Sequence, residues 1–143
     1  MRKLIVSAIT MAILGSCGQD KAAVEQAEKE VFVIHDEVMP KIGQLMEYKE
    51  ALSKEITSLD SLLKIKSIDS LQKRKEEALA LSSSLQDADK GMMDWMHDYN
   101  GDSLKTLSGD EALKAMNAEK AKIGAVRDKM LESMGKTAQL LKK

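Results

Sequence analysis

The side chains that could do chemistry gather in two places. His35 and Met39 stand four residues apart, and Met93 and His97 repeat the spacing. On a helix, that spacing puts both side chains of a pair on one face. Imidazole and thioether donors together suit copper(I). The chain has ten methionines, of which Met1 and Met11 fall in the first sixteen residues. A turn of about 100° per residue carries His97 well away from the apolar stripe of its helix, while His35 lies at the edge of its own. Methionine is also a common filler in cores poor in aromatics, and the only aromatics are Phe32, Tyr48, Trp95 and Tyr99. Core packing is therefore the expected role of these residues. Soft-metal binding by His35, Met39, Met93 and His97 is the alternative, and no cofactor is expected.

Carboxylates accompany both histidines: Asp36 and Glu37 beside His35, Asp94 and Asp98 beside His97. Di-iron helical bundles need Glu-x-x-His on paired helices. Here the run from Asp94 to His97 has Asp in the Glu position and no second copy. No Ser-His-Asp or Cys-His arrangement and no phosphate-cradling glycine loop is found. A small bundle also offers little room for a catalytic pocket, so the chain is not expected to be an enzyme. Charges nearly cancel, 22 Lys+Arg against 23 Asp+Glu, and no basic stripe is interleaved with aromatics. Both features argue against nucleic-acid binding.

At 143 residues, 43% apolar and 31% charged, the composition is that of one small folded domain. Its first segment has the three parts of an export signal: basic Arg2 and Lys3, apolar Leu4 to Leu14, and a small-residue exit. Leu14-Gly15-Ser16-Cys17 resembles a bacterial lipobox, which implies cleavage before Cys17 and lipid on its thiol. Cys17 is the only cysteine, so it has no intramolecular disulfide partner. Residues 1–16 are then a lipoprotein signal peptide. Residues 17–30, with Glu25, Glu28, Lys29 and Glu30, form the anchor and a solvated helical lead. The expected location is the bacterial cell envelope, at the outer membrane, with either face open. The membrane itself is the first expected partner.

Residues 31–143 read as an all-α, elongated, antiparallel three-helix bundle. The first helix carries Val31, Val38, Ile42, Leu45, Leu52, Ile56, Leu59 and Leu63 at coiled-coil-like gaps of three and four. Pro40 should kink it without stopping it. A turn at 64–67 follows, with Ser67 or Asp69 to cap the second helix. That helix presents Leu71, Ala78, Leu81, Leu85, Ala88, Met92, Trp95, Met96 and Tyr99. Asn100-Gly101-Asp102 signals a stop, residues 103–107 a loop, and Ser108 to Glu111 a capping box. The third helix presents Leu113, Met116, Ile123, Val126, Met130, Met134, Thr137, Leu140 and Leu141. Folding back about residue 66 sets residue 33 level with residue 99, and three equal rods of about 30 residues would run about 45–50 Å.

Polar Lys49, Arg74 and Lys75 interrupt the stripes and are expected to snorkel, or to specify register or a further helix. Gly43, Gly91, Gly124 and Gly135 inside helices suggest close helix approach. Phe32, Trp95, Met96 and Tyr99 near one end form either an aromatic plug or an anchor for a partner, with the plug favoured. In this arrangement the aromatic end lies near the membrane and the 64–68 turn far from it.

Two stretches carry a resemblance. His35-Asp36-Glu37-Val38-Met39-Pro40-Lys41-Ile42-Gly43 with Leu45-Met46, and Met92-Met93-Asp94-Trp95-Met96, resemble a group of small bacterial lipoproteins often labelled "viral A-type inclusion protein". The label reflects their coiled-coil-like composition and carries no viral role. The resemblance implies a lipoprotein and a helical bundle and brings no activity with it. The expected function is that of a non-catalytic structural or protein-interaction module with a protein partner.

Overall fold

The computed structural model describes residues 16–142. Among them the chain is all α: α1 Ser16–Val38, a 3-10 turn Met39–Lys41, α2 Ile42–Ile65, α3 Asp69–Asp98, α4 Gly101–Lys105 and α5 Gly109–Leu141. The leader over 1–15 and the thiol of Cys17 lie outside the described residues, although the Cys17 backbone belongs to the first turn of α1. No helix among the described residues is long and apolar enough to cross a membrane.

The first expected helix is therefore two. Pro40 has no N–H to donate and sits in the 3-10 turn, which divides α1 from α2. Backbone angles stay right-handed helical at Val38 and Lys41, so the chain continues onward without reversing. Its buried positions recur every seventh residue through the break: Val24, Val31, Val38, Leu45, Leu52 and Leu59. On α3 the buried set alternates three and four, from Ala78 and Leu81 through Leu85, Ala88 and Met92 to Trp95. Met116, Ile123, Met130, Met134 and Leu140 complete the core from α5. These are the knobs that a bundle seam requires.

Ion pairs fix the register. Glu30 pairs with Lys120 and Glu37 with Arg127, both offset by ninety in sequence, so α1 runs parallel to α5. Trp95 donates to Glu119, and Lys129 pairs with Asp87, so α3 runs antiparallel to α5. Lys49–Asp89 and Arg74–Glu55 hold α3 antiparallel to α2. The lysines and arginine that interrupt the stripes thus bridge helices. Arg74 also donates to the Leu140 carbonyl (3.2 Å), covering an acceptor left open in the last turn of α5.

α3 and α5 are close in length, 30 and 33 residues, but the first rod, α1 and α2 together, is longer than either, and the ends do not align. α5 begins level with the start of α1 and finishes near the middle of α2. The last turns of α2 and the first turns of α3 project past it as a two-helix hairpin. At the opposite end α1 extends beyond α3 and packs on α5 and the short α4. Val24 and Ala27 are buried there with Ala112 and Met116, a second small core. The segment expected as a solvated lead is thus partly core: Lys21, Glu25 and Lys29 are exposed, while Val24 and Ala27 are buried against α5 and Glu28 reaches Tyr99 and Lys105.

Local expectations change in three places. Ile68, in extended backbone, precedes α3 with no side-chain cap, so neither Ser67 nor Asp69 takes that role. Residues expected as loop form the single-turn α4, because Asn100 Oδ1 accepts from the Ser103 N–H (3.1 Å) and caps it. Ser108 stands before α5, but its hydroxyl donates to the Glu111 carboxylate (2.7 Å) and not to the backbone.

Glycine roles also differ from expectation. A Cβ on Gly43, Gly124 or Gly135 would meet nothing within 4 Å, and one on Gly91 only Val126 at ordinary contact, 3.5 Å. Close approach occurs instead at Gly101 and Gly109, where α4 and the start of α5 press against α1. A Cβ there would stand 2.6 Å from the Tyr99 hydroxyl and 2.5 Å from Asp20 Cβ respectively.

Candidate functional site

The aromatic residues come together where α1, α3 and α5 meet. Phe32 and His35 are three apart on α1 and share a face; Tyr99 caps the end of α3, four residues after Trp95, with its N–H bonded to the Trp95 carbonyl. Antiparallel packing brings the pairs level. Phe32 meets Tyr99 edge-on at 5.5 Å between ring centres, Trp95 lies 5.0 Å from Tyr99, and His35 lies 5.8 Å from Trp95. Such contacts contribute beyond area burial, about 0.5–1.5 kcal/mol per aromatic pair.

Each polar tip in this cluster has a partner. The Trp95 indole N–H donates to Glu119 Oε2 (3.0 Å). The Tyr99 hydroxyl donates to Glu28 Oε1 (3.4 Å), and Lys105 from α4 bridges to the same carboxylate (3.0 Å). Burial, and the Glu28 charge beside it, push the Tyr99 phenol up to about 12. Hydrogen bonds to Glu28 and Asp102 hold Lys105 above the usual lysine value. His35 Nδ1 stands 2.9 Å from Asp36 Oδ1; a carboxylate only accepts, so the ring nitrogen is the donor.

The cluster is part plug and part surface. Trp95 is 7% exposed, while Phe32 is 42% exposed and Val33 beside it more so. Met96 and Tyr99 are half-buried against the core. Two to three turns nearer the start of α1, Asp20, Lys21, Val24 and Glu25 face Lys105, Leu107, Gly109 and Ala112 across an open cleft of about 320 Å³. Sequence spacing pointed to the four aromatics. It could not show Glu28, Lys105 and Glu119, because their roles depend on a register set by distant segments.

The four residues of the soft-metal alternative do not share one face. His35 and Met39 are partly buried on the α3 side of the first rod. Met93 and His97 are exposed on α3, each two residues from Trp95 and so about 160° around the helix from it. Among the described residues, no three His, Cys, Asp or Glu side chains gather to hold a metal.

Comparison with protein-family models, with curated proteins and with solved structures finds no match to this chain.

Proposed function

We propose that this chain is a lipid-anchored envelope protein whose aromatic end docks a protein partner, without catalysis of its own. In this reading Cys17 carries the lipid after removal of residues 1–16. The α1–α2 rod, α3 and α5 act as the three rods of an elongated bundle. The outer membrane of a bacterial envelope is the site of action, and the relationship to the lipoproteins named above is part of the same proposal.

One observation carries the interaction role. Phe32 is a large, half-exposed aromatic held in place by Tyr99, on a cluster whose other polar groups are already paired. Interface anchors are typically aromatics with little freedom left to lose on binding. Val33 widens the apolar patch, and the cleft nearer the start of α1 has a charged rim of Asp20, Lys21, Glu25 and Lys105.

The test is cross-linking in cells of the full chain carrying a C-terminal tag, followed by mass spectrometry of the adducts. One recurrent envelope protein, lost in Phe32→Ser while membrane attachment persists, is the expected result. No recurrent adduct, or one that Phe32→Ser leaves intact, overturns the docking role. Membrane release by Cys17→Ser tests the anchor separately.

A further inference from the structure

The other end of the molecule has the opposite character. Where α2 turns into α3 beyond the reach of α5, the chain runs Leu62-Leu63-Lys64-Ile65-Lys66-Ser67-Ile68. Ile65 is 85% exposed, Leu62 47% and Ile68 37%. Ile65 closes α2, Leu62 lies one turn beneath it, and Ile68 begins the approach to α3. The three form a convex apolar apex on a tight turn. Lys64 and Lys66 flank Ile65, and neither has an ion-pair partner among the described residues. Of the nearest acids, Asp60 is paired with Lys75, and Asp69 sits in the first turn of α3, where the helix dipole favours it.

We infer that this hairpin tip is a contact for an anionic lipid surface, with Ile65, Ile68 and Leu62 entering the interfacial layer and Lys64 and Lys66 meeting the headgroup charge. Shape and charge select this occupant. Three side chains on a convex turn offer far less area than the roughly 1,200–2,000 Å² that stable protein interfaces bury. A second copy of the chain would also set Lys64 and Lys66 against their own equivalents. A bilayer interface needs only a few apolar side chains and adjacent cations, and it rewards the cations when its lipids are anionic. The hairpin beneath is stiffened by Arg74–Glu55 and Lys75–Asp60, so the apex is presented on a fixed support.

The inference does not depend on the lipid at Cys17, which lies at the far end of the rod. Its test uses the full chain with Cys17→Ser and Ser67→Cys, labelled at residue 67 with an environment-sensitive dye. Ser83→Cys, exposed on α3, serves as the control site. Vesicles of phosphatidylcholine alone are compared with vesicles that also contain phosphatidylglycerol. A blue shift at residue 67 with the anionic vesicles only, and none at residue 83, is expected. Lys64→Glu with Lys66→Glu should weaken that response by about twenty-fivefold or more, at about fivefold per lysine lost, and Ile65→Asp should remove it. No shift at residue 67 overturns the inference, as does an equal shift at residue 83 or one indifferent to the charge reversal. A protein pocket as the true occupant would give the first of these outcomes.

Discussion

The two ends of this molecule use similar residues in opposite ways. At the aromatic end, Trp95 and Tyr99 are drawn inward and their polar tips are answered from other helices: Trp95 by Glu119, and Tyr99, with Lys105, by Glu28. At the hairpin end, Leu62, Ile65 and Ile68 face solvent, and two lysines are left without partners. The difference comes from how many helices are present at each level. Three elements, α1, α4 and α5, enclose the region below the aromatics, whereas only α2 and α3 reach the tip. An amphipathic pair can bury one seam but cannot cover its own apex.

The sharpest way to break this contrast is to truncate one large apolar side chain at each end. Trp95→Ala should cost about 3–5 kcal/mol of stability, since it removes a buried ring and the donor to Glu119. Ile65→Ser should stay within about 0.5 kcal/mol, because its side chain leaves water in neither state. Urea unfolding of the two variants measures both. Similar losses would mean that the tip is covered in solution.

A smaller effect of opposite sign distinguishes the glycines. Gly101→Ala places a methyl against the Tyr99 hydroxyl and Glu28, and should cost about 1–3 kcal/mol by the same measurement. Gly43→Ala, in open space on α2, should stabilise by about 0.5–1 kcal/mol through helix propensity. If Gly101→Ala loses no stability, the close approach of α4 to α1 is not what requires glycine at 101.

The mildest test concerns pH. The Tyr99 phenol is raised in the fold, so between pH 10 and about 12 the unfolded chain gives up this proton while the folded chain keeps it. The Tyr99 contribution is thus intact below pH 10 and fades as pH climbs to about 12. Tyrosinate absorbance of the Tyr48→Phe protein should show the late ionisation. Glu28→Gln should bring it only part of the way back, because burial is the larger cause. An ordinary phenol titration would detach Tyr99 from the cluster.

Much of this fold was legible as pattern. Helical periodicity marked the long helices, and the fold-back about residue 66 placed Phe32 level with Tyr99. The aromatic group was legible for the same reason, since its members lie at helical spacing on stripes that must meet. The offset of α5 was not, because equal length was taken to mean equal ends. The buried role of Val24 and Ala27 was hidden by the charges around them, and a seam of small residues gives a weak apolar signal. Asn100 signals a stop by its sequence, although an Asn side chain can equally open a helix. The partners of Lys49 and Arg74 lie 40 and 19 residues away, where only three-dimensional register reveals them.

The stagger also bears on how the molecule carries load. Three discontinuities cross its length: the end of α3, the 3-10 turn at Pro40 and the end of α5. Along the first rod, the end of α3 lies near Phe32, the turn at Met39–Lys41, and the end of α5 near the middle of α2, never at the same height. Each is spanned by two helices that run through unbroken, in the manner of a lapped splice. A shaft jointed in this way has no common plane at which to fold.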